Sequence, residues 1–181
     1  MVSTPLHYVH AYTVYRASKK KLRLSYLVIG CIVPDIEIPI LYLLGYPYPF
    51  DRLVLHSLIG SILFSWAVGL VLLPLYWRIL RLLGLKFSHQ INFGDYVAGV
   101  IISSEIHVII DSAHHPYNPS LWPVTSQSID NLILFGDWLQ ASNLMQILFL
   151  AALILILEYE AGIRDLVNSI VKLKLEDKGI Y

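Results

Sequence analysis

The sequence predicts an all-α protein: a polytopic membrane helical bundle of about four spanning helices, preceded by a short N-terminal helix and followed by an amphipathic C-terminal helix. Of the 181 residues, 56% are hydrophobic and only 14% charged, with a mean hydropathy of +0.63, whereas soluble domains carry about 45–50% apolar and about 25% charged residues. The apolar residues gather into runs long enough to cross a hydrocarbon layer about 30 Å thick. Lys and Arg then collect in alternate connections between those runs. The formal net charge is zero, which excludes a nucleic-acid partner held by a broad basic surface. Cys31 is the single cysteine, so no internal disulfide forms and the residue reads as a small buried hydrophobe. No internal repeat or second domain is visible, and residues 1–181 read as one integral membrane domain.

Each element has its own warrant. Ser3-Thr4-Pro5 is a helix-start signature, a hydroxyl that caps free amides before a proline that has none to satisfy, and it predicts a short helix through Ser18. His7 and Val14, with His10 and Ala17, share one side of it. Lys19-Lys20-Lys21-Leu22-Arg23 ends the helix as a membrane-flanking charge cluster; no small-residue cleavage site of a secretory leader follows it. Tyr26 to Leu44 is the first span, interrupted by Pro34-Asp35-Ile36-Glu37-Ile38-Pro39. A bare carboxylate costs about 2.5–3.5 kcal/mol at mid-membrane on insertion scales, so Asp35 and Glu37 must face protein, water or a metal. After a Pro- and aromatic-rich turn from Tyr46 to Arg52, Leu53 to Trp77 is the second span, with His56 near its start. Its small residues Ser57, Gly60, Ser61, Ala67 and Gly69 favour close helix contact. Arg78 to Asp95 reads as a polar loop, and Tyr96 to Asp111 as a third span carrying Ser103, Ser104, Glu105, His107 and Asp111. A long connection from Ser112 to Gln140 follows, with an amphipathic stretch near Ile129 to Leu139 at the interface. Ala141 to Leu157 is the one cleanly apolar span, and Glu158 to Tyr181 an amphipathic, water-facing helix.

If the spans alternate, five Lys/Arg precede the first span, three lie between the second and third (Arg78, Arg81, Lys86), and four follow the last (Arg164, Lys172, Lys174, Lys178), against Arg52 alone in the opposite connections. That bias predicts a protein integral to the cell membrane with both termini cytoplasmic.

The polar residues of the spans carry the chemistry. His107 and Asp111, four apart on a helix, project from one face within reach of one cation. With His7, Asp35 and His56 they make five metal-capable side chains in or beside the apolar core, and His114 and His115 add two more. Neutral imidazoles with carboxylates suit zinc first, and manganese and iron as well. Singly, each has a plainer reading: an interface histidine at His56, a helix-stabilising pair at His107 and Asp111, a proton-relay carboxylate at Asp35. Together they favour a metal centre, because burying these carboxylates without a nearby cation is prohibitive. Glu37, two residues beyond Asp35, points to another side of its helix and reads as an outer contact, and Glu105 faces away from His107. Ser57, Ser104 and Ser112 have no paired base at nucleophile spacing, which argues against a serine hydrolase.

Thr4-Pro5-Leu6-His7, Ile29-Gly30-Cys31-Ile32-Val33-Pro34-Asp35, His56-Ser57, His107-Val108-Ile109-Ile110-Asp111 and Leu121-Trp122-Pro123, in that order over residues 4–124, resemble the YdjM-type family of membrane-bound metal-dependent hydrolases. That family is thought to be distantly related to the zinc-dependent phospholipase C and single-strand nuclease superfamily. The resemblance implies a metal-ligand set of His7, Asp35, His56, His107 and Asp111, with Asp111 able to bridge two ions and Asp35 as ligand and catalytic general base. His114 or His115 would supply a further ligand. No histidine follows Pro116, so one or two divalent ions are implied rather than three.

The resulting expectation is a membrane-embedded hydrolase acting through metal-activated water on a phosphoester or phosphodiester, with a phospholipid as one such substrate and the bilayer as its partner. Two other classes remain open: a transporter or proton-relay protein that uses the buried carboxylates, and a scaffold whose zinc only staples helices. His7 belongs to a segment counted as inside, while His56 and Asp111 lie toward the opposite face; a common site follows if the spans are shorter and re-entrant, if the orientation is inverted, or, as the apolar run Leu6 to Tyr15 favours, if the first helix tucks back into the bundle.

Overall fold

The computed structural model describes residues 4–84, 91–129 and 132–176, with side chains to Gly162. A 3-10 turn over Thr4–His7 leads into α1 (Tyr8–Ala17), followed by α2 (Leu24–Leu43), α3 (Leu58–Leu82), α4 (Phe93–Ser112) and α5 (Trp138–Glu176). Among the described residues there is no strand. The last four helices are each long and apolar enough to cross a membrane.

Large side chains such as Phe64, Val71, Leu75, Ile109, Ile147 and Leu155 are exposed on these helices. A lipid-facing surface accounts for that arrangement, because water would penalise it. The polar residues turn inward instead: Ser61, Ser65, Ser103, Ser104, His107 and Asp111 are buried.

The α2–α4 pairing is the centre of the bundle. A side chain at Gly30 would strike the Val100 carbonyl oxygen, and one at Gly99 would press on Tyr26; these two glycines let the backbones approach as small residues do in membrane interfaces. Tyr26, Ile29, Val33, Leu73, Tyr96 and Val100 pack where α2, α3 and α4 meet. The Tyr96 hydroxyl, buried in that core, donates to the Trp66 carbonyl at 2.7 Å. Pro34 and Pro39 both lie inside α2, and the second removes the amide that would otherwise reach the Asp35 carbonyl.

Several boundaries differ from the sequence reading. The second span begins at Leu58, not Leu53, because the amides of Leu53, Val54, Leu55 and His56 are captured by the Glu37 carboxylate; the Ser57 side chain then caps the helix by accepting from the Gly60 amide at 2.9 Å. α3 runs on to Leu82, so the polar loop expected from Arg78 to Asp95 is shorter: Ile79, Leu80 and Leu82 continue the apolar pattern, and Arg78 and Arg81 extend their charges away on long stems. α4 starts at Phe93, with Asn92 accepting from the Asp95 amide.

In the stretch near 129–139 expected to be amphipathic, the described residues before Trp138 form no α-helix. Phe135 and Gly136 both take positive φ, breaking a 3-10 turn over Leu134–Gly136, and Asp137 caps α5 by accepting from Leu139 and Gln140. The expected last span and tail helix are one continuous helix, since no proline interrupts Trp138–Glu176; the amphipathic face proposed for the tail, and residues 177–181, lie outside the described residues. At the other end, Ser3 also lies outside them, and α1 begins at Tyr8, where the N-cap residue His7 makes no side-chain cap. Lys19 and Lys20 adopt left-handed φ of 53° and 64° and end the first helical segment.

α1 runs antiparallel to α4, with His7 near Asp111, His10 near Ser103, and Arg16 reaching Glu160 and Tyr159 of α5. The first helix is therefore tucked into the bundle. The C-terminal end of α4, the turn before α3 and His7, the last residue of the 3-10 turn, come together where the histidines lie.

Candidate metal centre

Four candidate ligand atoms converge from two helices and the turn before a third. Asp35 comes from the middle of α2, His56 from the residue before the α3 cap, and His107 and Asp111 from successive turns of α4. His107 Nε2 lies 3.4 Å from both Asp35 Oδ1 and Asp111 Oδ2. His56 Nε2 lies 3.8 Å from Asp35 Oδ1 and 3.7 Å from Asp111 Oδ2. Ligands held at about 2.0–2.2 Å around a tetrahedral ion are separated by about 3.3–3.6 Å, so the four atoms have the spacing of a coordination shell and are too far apart to satisfy one another by hydrogen bonds.

The outer contacts fix which nitrogen faces inward. His107 Nδ1 donates to the Cys31 carbonyl at 2.8 Å. His56 Nδ1 donates to Glu37 Oε2 at 3.1 Å. Each imidazole thus presents the lone pair of Nε2 to the centre, with the carbonyl or carboxylate support that metal-binding histidines receive. His56 Nε2, His107 Nε2, Asp35 Oδ2 and Asp111 Oδ1 are buried without hydrogen-bond partners, a costly arrangement unless a cation completes it. The residues present therefore fit a divalent ion.

Asp111 also has an outer side. Its Oδ1 lies 3.6 Å from His7 Nε2 and 3.7 Å from His114 Nε2, and its Oδ2 lies 3.5 Å from His115 Nε2. His7 stacks on His107 with ring centroids 4.0 Å apart. His114 donates from Nδ1 to the Ile110 carbonyl at 2.8 Å, leaving Nε2 directed at Asp111. Asp111, His114 and His115 form a second group with metal-ligand spacing. Burial holds His7 down to about 3, His115 to about 2, and His114 below its usual range, so these imidazoles are neutral and able to coordinate at neutral pH. His10, one turn along α1, faces Ser103 Oγ at 3.2 Å and stands outside both groups.

All seven expected ligands gather around Asp111, but not as one shell: four make the first group, His7 and His114 address the other oxygen, Oδ1, and His115 approaches Oδ2 beside the first group. Glu37 is the outer contact expected for it, in a larger role. It gathers four backbone amides besides the His56 ring Nδ1 and so ties α2 to the start of α3. Glu105 lies outside both groups. Ser57 caps α3, Ser104 meets Ser61 at 2.6 Å, and Ser112 donates to the Val108 carbonyl; none meets an imidazole.

Arg52 escaped the sequence reading as anything but a loop charge. It is 2% exposed, with Nη1 3.2 Å from Asp51, Nη2 3.1 Å from His115 Nε2, and Nε 3.6 Å from Asp111 Oδ2. Its signal was its isolation, as the one Lys or Arg on its side of the membrane count. Beside it opens a cleft of about 500 Å³ lined by Leu41, Tyr46, Pro47, Phe50 and Tyr117. The chain matches no family model, no curated protein and no solved structure.

Proposed function

We propose that the protein is a membrane-embedded, metal-dependent hydrolase of phosphoesters. The observation that carries this reading is the convergence of Asp35, His56, His107 and Asp111 at 3.4–3.8 Å, with the inward Nε2 of both imidazoles buried and unpartnered. Two imidazoles and two carboxylates suit zinc first, with manganese and iron also matched by the donor set. Such an ion supplies Lewis acidity and lowers the pKa of a bound water.

The chain's own groups divide the remaining work. Asp35 is the member of the four that reaches toward solvent, its side chain 14% exposed against 4% for Asp111. With Oδ1 toward the imidazoles and Oδ2 unpartnered, it is placed to take a proton from the attacking water. Glu37 holds His56 in the required tautomer and orientation. The cleft beside Arg52 is lined largely by apolar and aromatic groups, which favours an amphiphilic phosphoester such as a phospholipid presented from the bilayer. The Lys/Arg bias supports an orientation in which this end faces away from the cytoplasm. The resemblance to the YdjM-type family supports the same chemistry.

A metal-stapled scaffold is the second reading, favoured by the presence of four protein ligands, the number that closes a structural zinc site. Elemental analysis of detergent-purified protein beside the His107→Ala, Asp111→Ala double variant, followed by phosphodiester and phospholipid assays, separates the two. Bound metal lost in the variant together with metal-dependent hydrolysis supports the hydrolase. Bound metal without hydrolysis of any tested phosphoester supports the scaffold. A folded wild type that takes up no zinc, manganese or iron sinks both.

A further inference from the structure

We infer that Arg52 is a resident second cation of this centre: its guanidinium holds the Asp111–His115 side that would otherwise accept another metal ion. The inference rests on the four-ligand reading above and extends it to how many ions the chain binds and where.

Asp111, His114 and His115 have the spacing of a metal site, yet His115 Nε2, the atom turned toward Asp111, is already 3.1 Å from Arg52 Nη2. An imidazole nitrogen has one lone pair, and it serves either a guanidinium N–H or a metal. The same guanidinium brings Nε to 3.6 Å from Asp111 Oδ2. The His115 lone pair is therefore already taken, and a second divalent ion seated between His114 and His115 would meet a permanent positive charge at close range in a poorly screened interior. Asp51 Oδ1, 3.2 Å from Nη1, holds the guanidinium from the other side, and Arg52 Nε is buried without a hydrogen-bond partner. The arginine is thus a fixed part of the site.

Arg52 also lines the aromatic cleft. The atoms near His7 are unaffected, because His7 and His114 address the other carboxylate oxygen, Oδ1.

The test is metal stoichiometry, measured by zinc and cobalt(II) titration and by elemental analysis in wild type, His115→Ala, Arg52→Gln, Arg52→Lys and the Arg52→Gln, His115→Ala double variant. The expected result is that His115→Ala leaves the wild-type metal content unchanged, Arg52→Gln gains one equivalent, the double variant loses that gain, and Arg52→Lys gains none. A wild type that loses an equivalent on His115→Ala, or a folded Arg52→Gln that gains none, overturns the inference while leaving the four-ligand site standing. The wild-type and His115→Ala comparison holds this test even where Arg52→Gln fails to fold. No metal in any of the proteins overturns the inference and the metal-centre reading together.

Discussion

Glu37→Gln is the most informative single change. The carboxylate is 5% exposed and accepts from the amides of Leu53, Leu55 and His56 and from His56 Nδ1 through Oε2, and from Val54 through Oε1. Glu37→Ala would orphan up to four amides, two buried and two half-buried, at about 1–3 kcal/mol each for the buried ones, a large part of the whole stability of a typical domain, about 5–15 kcal/mol. It is expected not to fold and so tests little. Glutamine keeps the shape. With its oxygen at the Oε2 position it retains most acceptors and turns an NH2 toward the Val54 amide, one mismatched contact that costs about 1–3 kcal/mol. It also withdraws the negative charge behind His56, and loss of such support lowers metal affinity about 10–100-fold, or roughly 1.4–2.7 kcal/mol. The assay is zinc competition against a chromophoric chelator at fixed pH in detergent, beside thermal unfolding of the same preparations. A folded Glu37→Gln protein that holds zinc as tightly as wild type would refute the argument that this carboxylate prepares His56 for a metal.

Further outcomes are expected. Glu105→Gln should leave metal content unchanged, because Glu105 lies outside both ligand groups; a lost equivalent in elemental analysis would count against the assigned set. Gly30→Ala should destabilise by about 1–3 kcal/mol, since the new methyl would strike the Val100 carbonyl and the Ser103 side chain, and an unchanged midpoint in thermal unfolding would contradict the α2–α4 packing. The chelator-treated protein should lose stability as pH falls below about 6.5. Burial holds His10 down to about 4, and His7 to about 3, so the unfolded chain takes up protons that the folded one refuses. The destabilisation is absent above about pH 6.5 and grows toward about pH 4, each tenfold difference in proton affinity between the two states amounting to about 1.4 kcal/mol. A flat melting profile across that range would show that these imidazoles are not buried neutral.

The spans and the His107–Asp111 pair could be read from the chain because both depend on local order. Hydropathy sums over neighbouring residues, and a four-residue spacing on a helix places two side chains on one face whatever the helix packs against. Asp35 and His56 were legible for a related reason: a polar group in an apolar run needs a partner, and its cost shows before the partner is known. Helix ends were less legible where a distant group intervened. Leu53 looks like the start of a span, but four amides that could have begun it are turned toward Glu37, sixteen or more residues earlier in the chain. The sorting of the seven candidate ligands lay beyond local order altogether. Whether His7 reaches Asp111 depends on how α1 lies against α4, and which oxygen of Asp111 faces His114 or His115 depends on the turn after α4. Arg52 shows the limit most plainly: an arginine beside a span belongs by default to the membrane surface, and only the packed loop that brings it against Asp111 and His115 makes it part of the site. Composition and periodicity specify what each helix must bury, while its rotation and the company of its polar residues are settled when the helices close on one another.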